Sequence, residues 1–239
     1  MLHKAIEDLR GDAIVARDGA IGFVDDVYFD DERWTVRYLV VDTGTWLPGR
    51  KVLISPACVM PIEGSTAALR VALTREQIEQ SPGVDQDPPI SRSLEAAHAR
   101  YFGYPYYWSG PYLWGTAGMP LATEWNEPAA VRAARAREVE HAGRGADGER
   151  RAAESHLRSV REVVGYNLHA TDGDVGRVED FIVDDETWAI ADLLVDTRRR
   201  PPGKKVLVAP GAVAAVDWAN REVRIRLIRD EVERTPACH

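Results

Sequence analysis

The side chains best able to bind or react fall into three groups. The first is acidic: Asp25, Asp26, Asp30, Asp31 and Glu32 recur as Glu179, Asp180, Asp184, Asp185 and Glu186. Carboxylates converging in one loop are what a hard cation such as Ca²⁺ requires, which makes Asp30, Asp31, Asp184 and Asp185 the candidate metal ligands. Their spacing is not that of an EF-hand. Each set also lies between two apolar runs, where Asp favours turns through bonds to nearby backbone. The turn reading is therefore preferred, and no metal is assigned.

The second group is basic. Arg198, Arg199, Arg200, Lys204 and Lys205 form a run that could contact an anion. No aromatic stacking partner adjoins it, so a solvated hairpin loop is preferred.

The third group is aromatic. Residues 101–115, YFGYPYYWSGPYLWG, hold eight of the chain's 19 Phe, Trp and Tyr residues. Tyr101, Tyr104, Tyr106, Tyr107, Trp108, Tyr112 and Trp114 are the candidate interface residues, because rings so concentrated need a surface to cover them. Three readings stand: packing between the chain's own domains, a homodimer interface, and capture of another ligand or partner.

Other chemistry is sparse. The six histidines do not pair at metal-ligand spacing. Cys58 and Cys238 form no framework, and Cys58 reads as a small apolar residue. There is no phosphate loop, nucleophile elbow or H-E-x-x-H. No catalytic residue and no cofactor are assigned, and an enzyme is not expected.

The elements that position these groups come from a duplication. Residues 11–82 align without a gap with residues 165–236, at a constant offset of 154. A repeat this long is a duplicated domain rather than a solenoid unit. In each copy the reading is of strands. Ile21, Phe23, Val27 and Phe29 alternate with more polar residues, Asp30 to Arg33 turn, and Trp34 to Val41 form a second strand. Trp34 and Trp188 recur at one strand position and read as packing residues. Pro48-Gly49 and Pro202-Gly203 mark the next turn, and Pro56 and Pro210 break the strand that follows. Gly22 and Gly176 suggest a bulge or a close backbone approach. Thr74-Arg-Glu-Gln77 has the form of a capping box for a closing helix, whereas Ile228 lacks the capping hydroxyl. A further helix is expected from Ser91 to Tyr101, and another over Pro128 to His141. Five or six short strands and a helix in about 70 residues suggest a small closed or nearly closed barrel.

The predicted architecture is mainly β, with two small barrels in tandem. Domain 1 spans residues 1–82, an aromatic and helical linker spans 83–160, and domain 2 spans 161–239. The net charge of −8 in 239 residues disfavours nucleic acid as the main partner. No apolar run is long enough to span a membrane, the N-terminus lacks the pattern of a signal peptide, and a cytoplasmic location is expected.

The pattern DG-x-x-G-x-V-x-D, DD-x-x-W, L-x-V-D-T and P-G-[RK]-K-V-L-[IV]-x-P, present in both copies, resembles the PRC-barrel family. That family includes the cytoplasmic domain of the photosynthetic reaction centre H subunit and the C-terminal domain of a ribosome maturation factor. The segment joining the copies resembles that of stand-alone two-domain members. The resemblance implies a non-catalytic protein-binding or scaffold module and carries over no catalytic residue. Its alternatives are an RNA-processing or ribosome-associated accessory protein, and an H-subunit-like role in photosynthetic electron transfer. The H subunit has a membrane helix and the maturation factor a different N-terminal domain, and this sequence has neither.

Overall fold

The computed structural model describes residues 3–60, 68–82, 90–120, 156–197 and 204–235. The expected helix at Pro128–His141 and the residues Arg198, Arg199 and Arg200 lie outside these ranges.

Strand β1 (His3–Ala5) precedes copy one, which contains β2 (Ala13–Ala16), β3 (Gly19–Asp30), β4 (Thr35–Asp42), β5 (Lys51–Ile54), β6 (Ala68–Arg70) and helix α1 (Arg75–Glu79). Helix α2 (Arg92–Phe102) follows. After it come β7 (Leu157–Ser159), α3 (Val160–Val163), β8 (Asn167–Ala170), β9 (Gly173–Asp184), β10 (Ile190–Asp196), β11 (Lys205–Val208), β12 (Val213–Asp217), β13 (Glu222–Ile225) and α4 (Arg229–Arg234). The architecture is mainly β, as the alternation of apolar residues implied.

Two sheets result. One has the order β5-β4-β3-β2-β6, and the other the order β11-β10-β9-β8-β13-β12. Hydrogen bonding does not close either into a full barrel among the described residues: no ladder joins β5 to β6, or β11 to β12. Each sheet is thus a small β unit in which closure is not detected, and the prolines mark where the ladder stops. Pro56 and Pro210 begin short 3₁₀ turns, where a residue without an N–H ends a ladder. In copy one the chain crosses the seam itself, with the Met60 amide donating to the Arg70 carbonyl at 2.8 Å and that of Ala72 to Cys58 at 2.8 Å.

Local chemistry explains the individual elements. Thr74 and Gln77 make both bonds of the capping box on α1, at 3.3 and 2.8 Å. Lacking a hydroxyl at Ile228, α4 keeps the return half, where Glu231 accepts the Ile228 amide at 2.9 Å. Both helices also rest on an aspartate of the opening turn, Asp18 beneath Arg75 and Asp172 beneath Arg229. A Cβ on Gly22 would lie 1.9 Å from the Asp42 carbonyl oxygen, and one on Gly176 lies 2.1 Å from that of Asp196, so both glycines are required by close backbone approach. Phe23 departs from its expected inward position and is 58% exposed. A bulge between Ile14 and Val15 leaves Ile21 unpaired between Ala20 and Gly22. The extra residue moves the next side chain to the opposite face.

The two sheets are tied together by an exchange of strands. β1 pairs with β9 of the other copy, His3 opposite Asp184. β7, which precedes copy two, pairs with β3 of copy one, Leu157 opposite Asp30. These pairings are related by the same offset of 154, so the contacts between copies have pseudo-twofold symmetry.

Candidate functional site

Two arrangements gather the residues that the sequence singled out, the joint between the copies and the aromatic segment, and a polar cluster lies beneath the second.

At the joint the hairpin tips meet. The Val36 amide donates to the Trp188 carbonyl at 2.8 Å and the Ile190 amide to the Trp34 carbonyl at 2.7 Å. Trp34 and Trp188 lie at the end of the turn rather than within a strand, with φ of 50° and 59°, a left-handed conformation uncommon for bulky residues. Trp34 stacks on Phe29 at 5.5 Å and approaches Phe181 at 6.4 Å, while Phe29 and Phe181 touch across the joint at 5.3 Å.

The acidic residues serve this joint. Asp26 accepts the Ser159 hydroxyl at 2.5 Å and the Arg161 amide at 3.3 Å from the exchanged segment. Its counterpart Asp180 accepts the Glu7 amide. Asp31 meets Arg158 at 3.1 Å and His156 at 3.4 Å, yet burial outweighs these cations and its carboxyl is held above the usual range. Asp184 accepts the amide and hydroxyl of Thr187 within its own turn, and Asp185 lies half-buried beside it. Asp30 accepts the Glu32 and Arg33 amides and pairs with buried Arg37 at 3.1 Å. Among the described residues no three His, Cys, Asp or Glu side chains form a group able to hold a metal. In the basic run, Lys204 donates to the Thr235 carbonyl and Lys205 pairs with Glu179 at 2.5 Å.

The aromatic segment lies on copy one. Tyr104, Tyr106, Tyr107 and Trp114 are buried, Trp108 is half-buried, and Tyr101 and Tyr112 are 37% and 58% exposed. Arg33 at the first hairpin tip gathers the carbonyls of Tyr107, Gly110 and Tyr112. At the second tip the Trp114 indole donates to the Thr187 carbonyl at 2.8 Å. The segment thus spans both tips while packing against one copy.

Beneath it is a polar cluster that the sequence reading missed. Helix α2 starts at Ser91, which accepts the Leu94 amide, and stops at Gly103, whose φ of 71° suits a residue without a side chain. This places Arg92, Glu95 and His98 on one buried face. The Tyr107 hydroxyl donates to Glu95 at 2.6 Å and accepts from Arg92 at 2.7 Å. Arg37 lies over the Tyr107 ring at 3.8 Å. Burial drives the Glu95 carboxyl up to about 7, against the pull of Arg92 and Tyr107. Burial also pushes His98 down to about 4 and the Cys58 thiol up to about 12, so Cys58 is a poor nucleophile. The Arg92-x-x-Glu95 spacing was the available signal, since i and i+3 share a helix face. Arg37 and Ala57 with Tyr104, Tyr107, Trp108 and Trp114 line a small cavity of about 30 Å³, room for little more than ordered water.

The PRC-barrel domain family matches residues 1–68. The match covers 68 of the chain's 239 residues and is a similarity of copy one to that domain. No curated protein matches the chain. The sequence match stops within copy one, while the pairing order β11-β10-β9-β8-β13 repeats β5-β4-β3-β2-β6 strand for strand.

Proposed function

We propose that this protein is a non-catalytic scaffold that binds other proteins, in which two PRC-like units act as one rigid body. The observation that carries this reading is the reciprocal exchange of β1 and β7. It makes one binding surface of two copies, and it engages the recurring acidic residues in structural contacts rather than at a polar pocket. The family match supports a protein-interaction module. The buried Glu95–Tyr107–Arg92 cluster is closed off under the aromatic segment, which favours a structural role over turnover of a substrate. No helix of the described residues is long and apolar enough to cross a membrane, and a cytoplasmic setting belongs to the proposal.

The test is affinity capture with the tagged full chain, followed by mass spectrometry. A reproducible set of protein partners supports the scaffold. Ribosomal proteins or processing factors would move the reading to a ribosome-associated accessory role, and photosynthetic membrane proteins to an H-subunit-like one. Capture of no partner, together with turnover of a small molecule by the purified chain, would overturn it.

A further inference from the structure

The outer sheet face of copy one is covered, whereas among the described residues nothing packs on the equivalent face of copy two as α2 does on copy one. In copy one, Tyr28, Tyr38, Val40 and Leu53 form a second buried core with Ile90 and Leu157, and Leu94 of α2 packs against it. As a result β4 is buried on both faces along Thr35–Val41. At the offset of 154 the corresponding residues are Ile182, Asp192, Leu194 and Leu207. Leu194 lies directly opposite Leu207, and Asp192 opposite Ile182, so the four form one contiguous patch. All four are half-buried rather than buried, and the three apolar ones belong to neither hydrophobic cluster. β10 accordingly alternates in burial where β4 does not.

The covered face shows what fits the open one. On copy one, His98 of α2 hydrogen-bonds the Leu53 carbonyl at 3.0 Å and sets its ring edge-on to Tyr38 at 5.2 Å. The groups at those places on copy two are the Leu207 carbonyl and the Asp192 carboxylate. No described side chain hydrogen-bonds Asp192, and burial holds its carboxyl above the usual range against the pull of nearby His3. A helix that placed a cation where α2 places His98 would meet both acceptors, while its aliphatic side chains covered Ile182, Leu194 and Leu207.

We infer that the β9-β10-β11 face of copy two is a docking surface for an amphipathic helix of a partner protein, carrying a cationic side chain at the position that His98 holds on copy one. This rests on the scaffold reading above and names its surface and the chemistry of its partner. It is the helix-in-groove mode of recognition, with the chain's own α2 as the internal template.

The probe is a fluorescent synthetic peptide of residues 90–104 carrying His98→Arg, titrated into the full chain and followed by anisotropy. Saturable binding is expected. Leu207→Glu places a charge in the patch and should weaken binding at least about tenfold, or 1.4 kcal/mol, with the melting temperature checked to exclude unfolding. A second variant guards against a folding defect: Asp192→Lys should lose the Arg peptide and gain a peptide with His98→Glu. Absence of binding to the unmodified chain, or binding unaffected by both variants, overturns the inference. So does a wild-type dimer that Leu207→Glu converts to a monomer, which would make a second copy the occupant. Protein partners retained by Leu207→Glu would overturn this face and leave the scaffold standing. Peptide binding that depends on Leu207, with no cellular partner captured, would do the reverse.

Discussion

The Trp34 carbonyl accepts the amide of Ile190, and the Trp188 carbonyl accepts that of Val36, at 2.7 and 2.8 Å. Each tryptophan turns its peptide toward the other copy only by adopting positive φ. For a non-glycine residue that conformation costs on the order of 1 kcal/mol. The packing of Trp34 on Phe29 and Phe181 offsets it. Replacing Trp34 should therefore invert the usual order of small residues. Trp34→Ala loses the ring and keeps the strain, for roughly 3 kcal/mol of destabilisation. Trp34→Gly loses the ring and relieves the strain, and should be more stable than the alanine variant by about 1 kcal/mol. Urea unfolding of both checks this, and an alanine variant equal to or better than glycine would refute it.

Gly22 is constrained by a neighbour rather than by a turn. A Cβ there would sit 1.9 Å from the Asp42 carbonyl oxygen, which belongs to backbone and cannot swing aside. Gly22→Ala should then cost more than about 3 kcal/mol, near the upper range for single substitutions. Gly11, which has nothing within 4 Å of its added Cβ but a φ of 85°, should lose only about 1 kcal/mol as alanine. Thermal unfolding of the two variants side by side measures the difference.

Gly22, the Thr74–Gln77 box and Ser91 were legible in the sequence because each acts on chain within a few residues of itself, or repeats at an invariant offset. Phe23 was misplaced because a bulge in β3 depends on its pairing with β2, which no period along one strand encodes. The exchange of β1 and β7 was invisible for a similar reason: each is three residues long and lies outside the gap-free repeat. The acidic residues recur at the offset of 154, but sequence spacing does not distinguish a turn, as at Asp184, from a tie to the other copy, as at Asp26. The Glu95–Tyr107–Arg92 cluster joins a helix to a loop 12 residues further on, and its burial comes wholly from tertiary packing.

Asp26 provides a direct measure of the tie between copies. It accepts the Ser159 hydroxyl and the Arg161 amide of the exchanged segment, and the amide of Val27 in its own strand. Asp26→Ala should destabilise by about 2 kcal/mol, since buried donors lose a charged acceptor. Ser159→Ala alone should cost about 1 kcal/mol, and the double variant less than the sum, with a coupling of roughly 0.5–1.5 kcal/mol. Strict additivity in a denaturant double-mutant cycle would mean that the two side chains do not interact in solution.

The pH dependence of stability should be set by two groups on α2 that act in opposite directions. Glu95 is raised by burial from 4.5 to about 7, so its native site favours the protonated acid. That contribution is complete below the unfolded value and is lost as pH rises through about 7. His98 is lowered by burial from 6.5 to about 4, so its native site favours the neutral ring. That contribution is complete above 6.5 and is lost as pH falls through about 4. Between roughly pH 4.5 and 6.5 the two slopes oppose each other, and each alone amounts to on the order of 3 kcal/mol across its window. Glu95→Gln, which keeps an acceptor for the Tyr107 hydroxyl, should leave the histidine slope exposed, so that stability falls steadily as pH drops from 6.5 to 4. His98→Gln should leave the carboxyl slope, with stability falling as pH rises from 4.5 to 7. Unfolding free energies measured at half-unit pH intervals for the three proteins decide the matter. Variant curves that parallel the wild type across this range would show that neither group titrates as its burial requires.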